Sequence, residues 1–148
     1  MRIQSTYIWK VRICTLINKN DLVAIKYDYG GLGIATARTH LVFKSSGGYK
    51  ELLRIQGWKA KYGIHNNMYR VDKTDPDNLP YPFKIESAID FSSLTCINGL
   101  LFSSSLKKGN IGNYKKIQNE VAKRCVNISK KNLDINILIA SNCLLSKI

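Results

Sequence analysis

Tyr7, Trp9, Val11, Ile13, Thr15 and Ile17 recur at every second position, with Lys10 and Arg12 between them. A period of two places alternate side chains on opposite faces of an extended chain, so this segment predicts a half-buried strand. The polar run Asn18-Lys19-Asn20-Asp21 reverses the chain, after which Val23, Ile25, Tyr27 and Tyr29 resume the alternation. Residues 6–29 therefore predict an antiparallel hairpin with a loop of four or five residues. Gly30-Gly31 and Gly33 close it, and Leu41-Val42-Phe43 predicts a further strand. Past the break at Ser45-Ser46-Gly47-Gly48, the spacing of Tyr49, Leu52, Leu53, Ala60 and Tyr62 predicts a helix reaching Gly63.

All three prolines fall between Asp75 and Pro82. Proline blocks both helix interior and central strand, so this is a central Pro-rich turn, with Asp75 ahead of Pro76 suited to cap it. Any division into two lobes, 1–72 and 83–148, would fall there. Beyond it, Leu100-Leu101-Phe102 predicts a short strand. Ile111, Tyr114, Ile117, Val121 and Cys125 recur at helical spacing, and Leu133, Ile135, Ile137 and Ile139 return to a period of two. The expectation is an α+β fold in one domain over residues 1–148: an N-terminal antiparallel hairpin or small sheet, the central turn, and a C-terminal strand–helix–strand.

Composition fits a folded chain of 148 residues, with 45% hydrophobic and 22% charged positions. Charge changes the picture more. Lys and Arg number 23 against 10 Asp and Glu, a formal net charge of +13. Such an excess predicts an anionic partner, although a base-composition bias that enriches Lys, Asn and Ile together would also raise it. Two stretches stand out. Arg38, Lys44, Lys50, Arg54, Lys59 and Lys61 face Glu51 alone, and the eight basic residues from Lys107 to Lys131 face Glu120 alone.

Aromatic residues interleave with the first stretch. Cations neutralise phosphates and rings stack on unpaired bases, so the mixture points to nucleic acid, RNA ahead of duplex DNA because no helix-turn-helix or zinc-finger pattern is present. The expected interface comprises Lys10, Arg12, Lys50, Arg54, Lys59, Lys61, Trp58, Tyr62, Lys107, Lys108, Lys115, Lys116, Lys123 and Arg124. A component of a ribonucleoprotein or a nucleic-acid-processing factor would carry such a surface. A structural protein docking on an acidic protein partner would carry the same charge.

Chemistry beyond binding has few candidates. His40 and His65, the two histidines, are the residue type for acid–base cleavage of RNA, or else ordinary structural residues. Cys14, Cys96, Cys125 and Cys143 are too widely spaced for a zinc or redox motif and read as isolated thiols. Asp72, Asp75 and Asp77 lack the glycine and closing glutamate of a calcium loop, so no metal is expected. Gly31-Leu32-Gly33 lacks the third glycine of a dinucleotide loop. Lys10 and Arg12 interrupt the first apolar run, so neither a signal peptide nor a membrane span is expected, and the expected compartment is cytoplasmic or otherwise reducing.

One resemblance bears on the second half. Met68-Tyr69-Arg70-Val71-Asp72, followed by Asp75-Pro76-Asp77, resembles the Tyr-Arg-x-Asp strand and acidic segment of mono-ADP-ribosyltransferase toxins of the cholera and pertussis type. Phe102-Ser103-Ser104-Ser105 is similar to that family's Ser-Thr-Ser strand, and a helix and strand follow as they do there. The resemblance covers residues 68–142. It implies NAD as cofactor, with Arg70 holding its phosphate and Ser104 steadying the nicotinamide pocket. The late catalytic glutamate of that family has no counterpart, since nothing after Asp134 is acidic. Without that resemblance no cofactor is expected.

Overall fold

A computed structural model describes residues 17–27, 36–46, 49–98 and 107–133. They form strands β1 (Asp21–Tyr27), β2 (Thr36–Ser46), β3 (Tyr49–Gly57), β4 (Met68–Val71), β5 (Ser87–Asn98), β6 (Lys107–Asn110) and β7 (Lys130–Leu133), with one helix, α1 (Lys115–Arg124). The strands make one sheet in the order β4-β5-β3-β2-β1-β6, with β7 also paired to β5. Every pairing is antiparallel except β5–β7. A largely antiparallel sheet with one packed helix is an α+β fold.

Cross-strand register separates the two faces. Leu22, Leu41 and Leu53 lie side by side on one face, in a core shared with Ile55, Val71, Ile89, Phe91 and Leu94. Helix α1 covers this face through Ile117 and Val121, with Ile111 beside them. Burying each of these aliphatic side chains contributes roughly 1.5–3 kcal/mol. On the opposite face Val23, His40 and Arg54 form the matching row, and Ile25, Val42, Lys50, Leu52 and Ile97 are buried with it.

Burial on both faces explains one correction. The helix expected from Tyr49 to Gly63 is instead strand β3 followed by a short 3-10 segment, Ala60–Ile64. Lys50, Glu51, Leu52 and Leu53 are all buried in succession. A strand enclosed on both sides loses its alternation, and the two leucines then mimic helical spacing. Two other expectations meet the structure, whereas β4, β5 and β6 have no counterpart in the sequence pattern. The strand expected at Leu41-Val42-Phe43 is the middle of β2, and α1 presents Ile117 and Val121 inward with Lys115, Lys116 and Lys123 exposed.

Polar turn chemistry behaves as its residue types dictate. Asp75 caps the 3-10 segment Pro76–Asn78, its carboxylate accepting from Asp77 N at 2.9 Å. Asn20 turns the chain into β1 with φ 74°, a conformation asparagine tolerates. Tyr7 to Thr15, the first half of the expected hairpin, lies outside the described residues. So do Leu100-Leu101-Phe102 and the strand positions Ile135, Ile137 and Ile139.

Candidate nucleic-acid interface

The ladder between β2 and β3 ends at the pair His40–Arg54, although both strands continue past it. Beyond that point β2 stays with β1 as far as Thr36–Tyr27, and β3 stays with β5 as far as Gly57–Ser87. The sheet therefore forks. Two adjoining clefts of about 260 and 550 Å3 occupy the opening, and both are lined by Thr39, Ile55, Gln56 and Gly57. The smaller adds Arg38, Lys59 and Tyr62; the larger adds Phe83, Lys84, Ile85 and Lys108 among others. Among the described residues, four cations and two aromatic rings thus line the fork, and no carboxylate residue does.

Its flanks are fixed by side-chain contacts. On one side Tyr62 donates to Gln56 Oε1 at 3.2 Å, and Gln56 Nε2 donates to Asp90 Oδ2 at 3.0 Å. Trp58 meets the Tyr62 ring edge-on at 6.0 Å, and Arg70 lies 5.3 Å over the Trp58 ring while paired with Glu86. Backbone N–H of Trp58 donates to Glu86 O at 2.8 Å, closing this support. On the other side Tyr81 donates to Val71 O at 2.5 Å and accepts from Ser87 N at 2.9 Å. Phe83 packs edge-on against Tyr81 at 5.7 Å. Rings held this way present a face with little further ordering on binding.

The residues expected from sequence do not share one surface. Lys59 and Tyr62 line the smaller cleft, Lys108 lines the larger, and Lys61 and Trp58 lie in the same loop as Tyr62. Lys50 is fully buried, so its ammonium is unavailable to a phosphate, which corrects its place in the interface. Arg54 is half-buried opposite His40 on the face away from α1. Lys107 is tied to the buried Asp21 at 3.2 Å. Lys115, Lys116, Lys123 and Arg124 sit on α1 and are absent from the lining of the fork. Two of these are engaged: Lys116 holds the Asp75 carboxyl below its ordinary range, and Arg124 pairs with Glu120 at 2.8 Å. Lys10, Arg12 and Ser104 lie outside the described residues.

Sequence reading missed Gln56, Phe83 and Lys84 as parts of this site, and counted Arg38 only as a member of a basic stretch. Phe83-Lys84 repeats the aromatic–basic adjacency of Trp58-Lys59 and Lys61-Tyr62, which was the available signal.

None of the reactive candidates lines the clefts of the fork. His40 is fully buried, its Nδ1 donating to Arg38 O at 3.0 Å, and burial, reinforced by the charges of Arg54 and Arg38, lowers its pKa to about 4. His65 is exposed and lines a separate cleft with Lys123 and Arg124, of which His40 is not a part. Arg70, on β4, spends its guanidinium on Glu86 and Trp58 rather than on Asp72 or Asp75. Cys96 and Cys125 are free thiols, and burial pushes Cys125 up to about 11, leaving it protonated and unreactive at neutral pH. Among the described residues no three His, Cys, Asp or Glu side chains gather as a metal site requires, and no helix is long and apolar enough to cross a membrane. No protein-family model matches the chain, and neither a curated protein nor a solved structure is significantly similar to it.

Proposed function

We propose that the protein binds nucleic acid, RNA first, and that the fork between β2 and β3 is its interface. One observation carries this reading: Arg38, Lys59, Lys84 and Lys108 converge on a recess that also holds the rings of Tyr62 and Phe83 and, among the described residues, has no acidic side chain in its lining. Cations of one sign around a concave, partly apolar wall focus field toward the recess. Phosphates supply the matching charge and bases the matching flat surfaces. Lys61, exposed beside Tyr62, adds to the rim.

A salt titration tests this. Neutralising three or four phosphates on a single strand gives a slope of about −2 to −3 in log affinity against log salt. A mixed-sequence RNA oligonucleotide followed by fluorescence anisotropy between low and physiological salt should show that slope. No association at low ionic strength, or affinity unchanged by salt, would remove the reading. Nuclease treatment of a pull-down distinguishes an acidic protein partner, whose capture would survive digestion.

A further inference from the structure

Resting on the nucleic-acid reading, we infer that the fork takes one unpaired strand threaded through both clefts, and excludes a duplex. Paired strands stand about 4.8 Å apart. The fork opens from that separation at His40–Arg54, so it starts closed and widens only gradually away from the last pair. A duplex presents its bases stacked and paired, and could touch only the rim lysines. A single strand can enter and lay bases against the two rings, which lie in different clefts: Tyr62 in the smaller, Phe83 in the larger.

Gly57 lies at the junction. It lines both clefts, and a Cβ there would meet Ile85 Cδ1, the end of an exposed side chain, at 3.0 Å, so a larger residue adds bulk at the junction and displaces Ile85 within the larger cleft. Its backbone is not in the left-handed region, and a β-branched side chain suits the end of a strand. Gly57→Val therefore changes the width of the slot while leaving every charge in place. Binding by charge alone is indifferent to it; a threaded strand is not.

The experiment compares wild type and Gly57→Val at fixed low salt, using a single-stranded RNA and the duplex of the same sequence, with thermal melts confirming that both proteins are folded. The single strand should bind wild type at least about tenfold more tightly than the duplex, and the variant should lose most of that difference. As a second measurement independent of the variant, a 4-thiouridine oligonucleotide crosslinked to wild type should mark peptides containing both Tyr62 and Phe83. Equal affinity for single strand and duplex, or crosslinks confined to one cleft, would overturn threading and leave nucleic-acid binding standing. Absence of binding to either RNA would overturn both. Binding of an acidic extended peptide that Gly57→Val abolishes, with RNA affinity unchanged, would assign the slot to a peptide instead.

Discussion

His40 illustrates how one side chain couples burial to pH. Its Nδ1 must carry a proton to donate to the Arg38 carbonyl, so the enclosed ring is neutral with that tautomer fixed. Its pKa falls from 6.5 to about 4 because burial and then two neighbouring guanidinium groups disfavour a second proton. An unfolded chain regains the ordinary value. Below pH 6.5 the unfolded state thus binds the proton first, and stability present at neutral pH is lost as pH falls toward 4. A gap of that size corresponds to at most about 3 kcal/mol. Urea unfolding of wild type between pH 7 and 4.5 should show the decline, and His40→Gln should flatten it. Parallel pH profiles for the two proteins would assign the loss to carboxylates.

At the scale of elements, β6 is short and polar, and its place at the sheet edge depends on Asp21. That carboxylate, 1% exposed, accepts from Asn110 Nδ2 at 2.7 Å and from Asn18 N at 2.8 Å, and pairs with Lys107 at 3.2 Å. Removing it deletes hydrogen bonds that exposed Asn18 and Asn110 make to a buried carboxylate, a net loss of about 1 kcal/mol per bond. Asp21→Ala should lower the midpoint of unfolding accordingly, and hydrogen exchange should rise first at β6 residues, Gly109 among them. Because β6 carries Lys108 to the fork, RNA affinity should fall as well; exchange rising uniformly through the sheet would show that Asp21 does not act locally. The same scale separates what was legible in the chain from what was not. Helix α1 could be read because one face is buried and the other wet, so Ile117 and Val121 stand out against Lys115, Lys116 and Lys123. Strand β3 could not, because enclosure on both faces removes the contrast that a period depends on. Its buried Lys50 and Glu51 resemble surface residues in a linear reading. Glu51 is instead held by Lys44 at 3.8 Å and by Lys130 of β7 at 3.2 Å.

For the whole molecule, the charge excess was plain in composition, but its distribution was not. The fork draws Arg38 and Thr39 from β2, Gln56 and Gly57 from β3, Lys59 and Tyr62 from the following loop, Phe83 and Lys84 from the approach to β5, and Lys108 from β6. Segments so far apart in sequence meet only through strand order, which no local pattern encodes. Two sets of lysines can therefore be neutralised with equal change in net charge. Lys59→Gln, Lys84→Gln and Lys108→Gln strip the fork; Lys115→Gln, Lys123→Gln and Lys131→Gln strip exposed positions on α1 and β7. Single-stranded RNA affinity of the two triple variants at one low salt concentration is the decisive comparison. Placed charge predicts that the fork variant loses binding by roughly tenfold or more while the other stays within a few-fold of wild type. Equal losses in the two would contradict a specific interface in the fork and leave only nonspecific attraction to a basic protein.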